Sequence, residues 1–139
     1  MIFISSNAFG MTVTTSKEFN NRRGDIMLLI NGIPMIHIEL KASGVPIEEA
    51  TNQIQKYAKE GIFSGLYGLI QVFFAMTPED CIYFANPGDY TKFNSSFFFH
   101  WGNKENKPIK DWQQLCKGEN AMLSIPEAHQ LIGYYTIAS

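Results

Sequence analysis

A short hairpin pattern between residues 25 and 41 constrains the fold of this chain more than any other feature. Residues 25–30, Asp-Ile-Met-Leu-Leu-Ile, form a continuous apolar run behind one aspartate, with the length and composition of a buried strand. The Asn31-Gly32 pair that follows is the strongest short signal for a β-hairpin. Residues 35–41 then alternate between apolar and polar side chains, as a second strand would. The sequence therefore predicts two paired strands joined by a tight turn.

The second of these strands carries one apolar and one polar face. Because successive side chains of a strand point to opposite faces, Ile36, Ile38 and Leu40 point one way. The other face carries Met35, His37, Glu39 and Lys41. We therefore expect the carboxylate of Glu39 and the amine of Lys41 to lie side by side.

The pairing register of the hairpin decides whether Asp25 joins Glu39. Directly opposed residues of two strands share a face, and a strict two-residue turn with Ile30 opposite Ile33 places the two carboxylates on opposite faces. We therefore predict a three-residue loop or a glycine bulge, either of which brings the carboxylates together. If the pairing set by Ile30 opposite Ile33 continued along the whole hairpin, Asp25 and Glu39 would stay on opposite faces and could not share a site.

Two carboxylates and a lysine in this arrangement suit metal-dependent cleavage of a phosphodiester bond. Mg²⁺ prefers oxygen ligands and usually takes one or two carboxylates together with water and substrate phosphate. Asp25 and Glu39 would supply carboxylates, and the main-chain carbonyl of Leu40 would add a third oxygen. Lys41 would orient the attacking water or neutralise charge that develops in the transition state. The alternative is a surface salt bridge between Glu39 and Lys41 on a half-exposed sheet, since such short motifs recur by chance.

The remaining elements predict a mixed α/β (α+β) fold. Helical spacing of apolar residues begins after Pro46, with acidic residues in the first turn and Gly61 as the stop. Strands are predicted at residues 3–16, 69–76 and 81–85, a short buried segment at 97–101, and helices at 47–58, 109–116 and 126–135. This order of strands, helix, strands and helices indicates a layered sandwich of sheet and helices.

Composition narrows the class of protein further. Hydrophobic residues make up 45% of the chain and charged residues 17%, which suits one packed domain. The net charge of −2 means that tight DNA binding would have to come from partner subunits or other domains. Cys81 and Cys116 lack metal-binding spacing and suit free thiols in a reducing cytoplasm. We expect no signal peptide, no membrane span and no phosphate-loop ATPase motif.

The segment 24–41, which ends in Glu39-Leu40-Lys41, resembles the core of PD-(D/E)xK nucleases. In particular, it resembles the N-terminal nuclease domain of the R (restriction) subunit of type I restriction-modification enzymes. Members of that family carry an aspartate-bearing strand, an Asn-Gly-Leu-Pro hairpin and a strand ending in Glu-Leu-Lys. A helix with a Gln-x-x-x-Tyr motif follows, and Gln53 and Tyr57 match it here. The resemblance covers most of the chain, from about Asn7 onward.

The resemblance implies a type I site-specific deoxyribonuclease with a restriction-endonuclease-like mixed β-sheet flanked by helices. Its nuclease domain would cut double-stranded DNA with Mg²⁺ in the cytoplasm, beside modification and specificity subunits and a fused motor domain. ATP would serve only the full-length subunit. The implied site comprises Asp25, Glu39 and Lys41 for catalysis, with Gln53 and Tyr57 in support. From the residues alone, Tyr57 suits the core and Gln53 the surface.

Departures from the family pattern keep other interpretations open. The family domain usually begins with a helix bearing an acidic residue, which the residues before Asn7 do not supply, so we expect residues 1–139 to be a single nuclease domain, fragmentary or truncated at its N-terminus. With the acidic net charge, this favours a catalytically silent module that binds DNA or a partner. A repair or junction-cleaving nuclease of the same fold is a third possibility. His37 is either a bystander on the polar face, or a third ligand or proton shuttle.

Overall fold

A six-stranded mixed sheet forms the body of the molecule. The computed structural model describes residues 2–7, 10–15 and 25–116. Its strands are β1 (Ile2–Asn7), β2 (Gly10–Thr15), β3 (Asp25–Ile30), β4 (Ile33–Leu40), β5 (Val72–Met76) and β6 (Cys81–Ala85). They lie in the order β2-β1-β3-β4-β5-β6, in which β1 pairs with β3 and β4 with β5 in parallel, and the other neighbours are antiparallel. The predicted mixed α/β fold is confirmed.

One long helix, α1 (Ile47–Lys59), connects the parallel strands β4 and β5. Acidic side chains occupy its first turn and basic side chains its last turn, an order that complements the helix dipole. Gly61 follows the helix end with a φ of 76°, as the predicted stop requires. The helix buries one stripe of side chains against the sheet: Ile47, Ala50, Thr51, Ile54 and Tyr57. No helix in the described part of the chain is long and apolar enough to cross a bilayer.

The sheet has an apolar core on each face. The α1-side core contains Met27, Ile47, Ala50, Ile54, Ile70, Phe73, Ala75 and Phe84. The core on the other face, here the far-side core, contains Ile36, Ile38, Val72, Phe74, Met76, Cys81, Ile109 and Leu115. β4 is therefore covered on both faces, and the half-exposed sheet of the alternative interpretation is not found: His37 is 0% exposed and Glu39 is 3% exposed. The cause is the parallel pairing with β5, whose crossover helix covers the polar side of β4.

Three predicted segments differ from the structure. The strand expected at 69–76 begins only at Val72, because Gly65–Leu69 forms a 3₁₀ helix. The segment 97–101 is not buried throughout: Phe97 is 64% exposed and Phe99 47%, while Phe98 stacks on Phe84. Of the helix expected at 109–116, only α2 (Trp112–Cys116) is helical, and the helix expected at 126–135 lies outside the described residues.

The turn between β3 and β4 contains two residues. Ile30 lies opposite Ile33, and Asn31 and Gly32 have φ values of 51° and 78°, the left-handed conformation that a type I′ turn requires. The predicted three-residue loop is therefore wrong, and so is a bulge at the turn glycine. By itself this turn would place the two carboxylates on opposite faces.

A β-bulge inside β4 corrects the register. Leu29 pairs with Pro34 but Leu28 pairs with Ile36, so Met35 is an extra residue on β4. Pro34 has no N–H to donate to the neighbouring strand, so an interruption of the pairing here loses no hydrogen bond from that residue. The bulge follows the proline directly.

Beyond the bulge, Asp25 lies directly opposite Glu39. The predicted pairing of these two positions is confirmed, although the bulge that produces it lies within β4. The same bulge changes the side of Met35, which packs against the far-side core with Ile36 and does not share the face of His37. Its assignment to the polar face was wrong, because the extra residue breaks the strict alternation of the strand.

We predict that Gly32→Ala lowers the free energy of unfolding by about 1–2 kcal/mol, the cost of holding an L-residue in the left-handed region. A Cβ at Gly32 would meet no atom within 4 Å, so the loss would come from the backbone alone. Gly68→Ala is the matched control: its Cβ would be in ordinary contact with the carbonyl oxygen of Phe63, and its φ is not positive. Urea denaturation of both variants should show a loss for the first and little change or a small gain for the second. Equal effects would contradict the turn assignment.

Candidate active site

The candidate site lies at the edge of the sheet where β3 begins and β4 ends. Asp25 is the first residue of β3, and its partner Glu39 lies one residue before the end of β4. Lys41 follows the last residue of β4 and donates its main-chain N–H to the carbonyl of Met76 at 2.9 Å. Met76 ends β5, so three strand ends meet here.

The carboxylate of Glu39 is buried between two nitrogen-bearing side chains. Its Oε1 lies 3.5 Å from Nζ of Lys41, and its Oε2 lies 3.5 Å from Nε2 of His37. The side chain of Lys41 remains 25% exposed, so its ammonium reaches the surface at the edge of the sheet. A buried carboxylate is costly unless it is paired. The pair of Glu39 and Lys41 is therefore not the solvated surface salt bridge of the alternative interpretation.

His37 is enclosed by aromatic rings on the α1 side of the sheet. The centroid of its imidazole lies 5.1 Å from that of Phe63, 6.1 Å from that of Phe73 and 6.4 Å from that of Tyr57, each edge-on. Such edge-to-face arrangements are the favoured geometry of ring pairs. His37 thus lies in the core beside Glu39, and not on a polar face.

The main chain at the end of β4 presents an oxygen toward β3. The N–H of Lys41 points to β5, where it meets Met76. The carbonyl of Leu40 belongs to the same trans peptide and therefore points the opposite way, toward β3 and the Asp25 position. Carboxylate and carbonyl oxygens are the donors that Mg²⁺ prefers, and this donor set fits that ion.

A metal at this edge would depend on Asp25. Among the side chains that the structure describes, no group of three His, Cys, Asp or Glu residues is placed to hold a metal ion, and the Asp25 side chain is outside that set. One or two carboxylates completed by a carbonyl and water is the ordinary arrangement for Mg²⁺. The residues present match that arrangement.

The two predicted site residues of α1, Gln53 and Tyr57, differ in burial. Tyr57 is buried, as expected of a core aromatic, and its ring also lies next to His37. Gln53, one turn earlier, is half-buried. The structure therefore brings Tyr57 next to His37, two residues before Glu39, and leaves Gln53 half-buried.

Phe63 and Phe73 are neighbours of the site that the sequence did not point to. Phe73 pairs with His37 and Ala75 with Glu39 in the parallel register of β4 and β5, so both face α1. Phe63 lies in the connection after α1 and belongs to no motif. Only the long-range pairing of β5 reveals this part of the site.

Comparison with known proteins places these features in a family. The family model described as the N terminus of the type I restriction enzyme R protein matches residues 4–92, which contain all the predicted site residues. The chain belongs to this family. The resemblance seen in the hairpin and helix motifs is confirmed.

Individual relatives agree with this assignment. The chain is 34% identical over 112 residues to the type I restriction enzyme SauCOLORF180P endonuclease subunit of Staphylococcus aureus (strain COL), a match covering 80% of the chain and 12% of the relative. It is 41% identical over 91 residues to the EcoprrI endonuclease subunit of Escherichia coli, covering 64% and 29% respectively. A Staphylococcus saprophyticus endonuclease subunit, SsaAORF53P, is 41% identical over 113 residues, covering 80% and 12%. The chain thus spans only a small part of the length of these relatives.

We predict that Tyr57→Ala lowers the free energy of unfolding by roughly 3–5 kcal/mol, because it empties a ring-sized space between α1 and the sheet. Tyr57→Phe keeps the ring and should cost less than about 1.5 kcal/mol. Gln53→Ala, at a half-buried position, should change stability by no more than about 0.5 kcal/mol. Chemical denaturation of the three variants measures these differences, and a small loss for Tyr57→Ala would contradict the packing described here.

Proposed function

We propose that this chain is a Mg²⁺-dependent endonuclease domain that hydrolyses phosphodiester bonds of double-stranded DNA, the cleavage module of a type I restriction enzyme. The observation that carries the proposal is the buried carboxylate of Glu39, which lies opposite Asp25 in register and 3.5 Å from the amine of Lys41 at one sheet edge. The names of the relatives, all endonuclease subunits, support the same activity.

Each residue has a defined part in this proposal. Asp25, Glu39 and the carbonyl of Leu40 would hold Mg²⁺, which when bound polarises a phosphate and lowers the pKa of a coordinated water. Lys41 lies between Glu39 and solvent, where its ammonium would orient the attacking water or neutralise negative charge developing on the phosphate. Tyr57 would support the site by packing behind the strand end.

The proposal extends to the assembly in which the domain works. The chain spans 12% of the S. aureus and S. saprophyticus relatives, which leaves room in such proteins for a fused motor that would use ATP. Modification and specificity subunits would select the DNA, in the cytoplasm. The net charge of −2 supports this division, since the domain itself offers little attraction for the phosphate backbone.

We predict that the purified protein nicks supercoiled plasmid in Mg²⁺ and that Lys41→Met slows nicking by roughly 100-fold or more, because it removes a charge aimed at the transition state. Lys59→Met is the matched control, since this lysine is exposed at the far end of α1, and it should nick at the wild-type rate. Gel assays of the initial rates measure both. Equal nicking by Lys41→Met and the control would refute the assigned site.

The silent alternative is tested by metal binding. We predict that the wild-type protein binds Mg²⁺ or Mn²⁺ in calorimetric titration and that Glu39→Gln loses most of that affinity, because it removes the ligand charge. Circular dichroism confirms that each sample is folded. A folded wild-type protein that binds neither ion would instead support a nuclease-fold module that binds DNA or a partner without cutting.

A further inference from the structure

We propose that His37 is a positioning residue for Glu39: its Nε2 sets the orientation of the carboxylate that would hold the metal. The inference rests on the proposed function and adds a residue to it. Nε2 of His37 lies 3.5 Å from Oε2 of Glu39, while Nζ of Lys41 lies 3.5 Å from the other oxygen, Oε1. Each of the two carboxylate oxygens thus has a different nitrogen atom as its neighbour.

The placement of His37 excludes a direct role in the reaction. The residue is 0% exposed, whereas Lys41 beside the same carboxylate is 25% exposed. Substrate phosphate and the attacking water reach the sheet edge from solvent, so an enclosed imidazole does not touch them. Its effect on the chemistry has to pass through Glu39.

The aromatic surroundings explain how His37 would hold a fixed position. Edges and faces of Phe63, Phe73 and Tyr57 surround the imidazole at centroid distances of 5.1–6.4 Å. Packed rings leave a side chain few alternative rotamers, so they favour the one that places Nε2 3.5 Å from Oε2 of Glu39. A site of this kind works only if its ligands are preset by neighbours whose own rotamers are locked.

Burying the imidazole of His37 among aromatic rings costs free energy, because its polar nitrogens lose their hydration. A phenylalanine would fill the same aromatic surroundings without a polar nitrogen to desolvate. The nitrogen is therefore the part of His37 that a positioning role needs, and it can be removed separately from the ring. If His37 served packing alone, removing the nitrogen while keeping the ring would not change metal affinity; if it positions Glu39, metal affinity would fall.

The test compares three variants of His37 in the full chain, with Mg²⁺ and Mn²⁺ as the probes. His37→Phe keeps the ring and removes Nε2, and metal affinity measured by calorimetry should fall 10- to 100-fold, the usual effect of losing a partner of a metal ligand. His37→Gln places an N–H near the position of Nε2 and should recover most of the affinity. His37→Asn carries its N–H closer to the backbone and should not. Thermal melting of each variant reports stability separately.

Phe84→Leu provides the packing control, because Phe84 belongs to the α1-side core but has no ring contact with His37 among the described pairs. It should lower the melting temperature and leave metal affinity unchanged. If His37→Phe binds metal with wild-type affinity, or if the Gln and Asn variants lose affinity equally, the inference about His37 is overturned but the proposed function is not. A wild-type protein that binds no metal would overturn the proposed function with it. If His37→Phe does not fold, the comparison of Gln with Asn decides.

Discussion

The extra residue in β4 sets the geometry on which the candidate site depends. The type I′ turn at Asn31-Gly32 matches the twist of the paired strands but gives a register that separates Asp25 from Glu39. Insertion of Met35 shifts that register by one residue, so the two positions face each other in the fourth residue pair beyond the bulge. A favourable turn and an aligned pair of carboxylate positions are compatible only because the strand between them is irregular.

Burial on both faces then determines what the polar residues of β4 must do. The parallel pairing with β5 requires a crossover, and α1 supplies it by covering the face that carries His37 and Glu39. A carboxylate enclosed in this way is tolerated when cationic or polar groups compensate for its lost hydration. His37, within β4, and Lys41, directly after its last residue, lie two residues to either side of Glu39, so the same short segment of chain supplies that compensation.

Local patterns predicted the elements, and long-range packing determined the environment of the site. The apolar run of β3, the Asn31-Gly32 turn and the spacing of α1 are each readable within a few residues. The pairing of Asp25 with Glu39 was inferred from chemical need, but the position of the bulge was not, although Pro34 marks it. The burial of His37 could not be predicted, because it depends on β5 pairing with β4 across thirty-odd residues of intervening chain.

The charge distribution links this local geometry to the proposed role as one module of a larger enzyme. Among the described residues, the lysine at the site is Lys41, which lies beside the carboxylate of Glu39, and the whole chain carries a net charge of −2. Affinity for duplex DNA grows with the number of phosphates neutralised, so a chain with this charge has little electrostatic affinity for the duplex by itself. A nuclease domain that binds DNA weakly depends on other parts of its enzyme to hold the duplex at the active site. On the proposed function, the local concentration of DNA supplied by those parts, and not the chemistry at Glu39, would then decide where cleavage occurs.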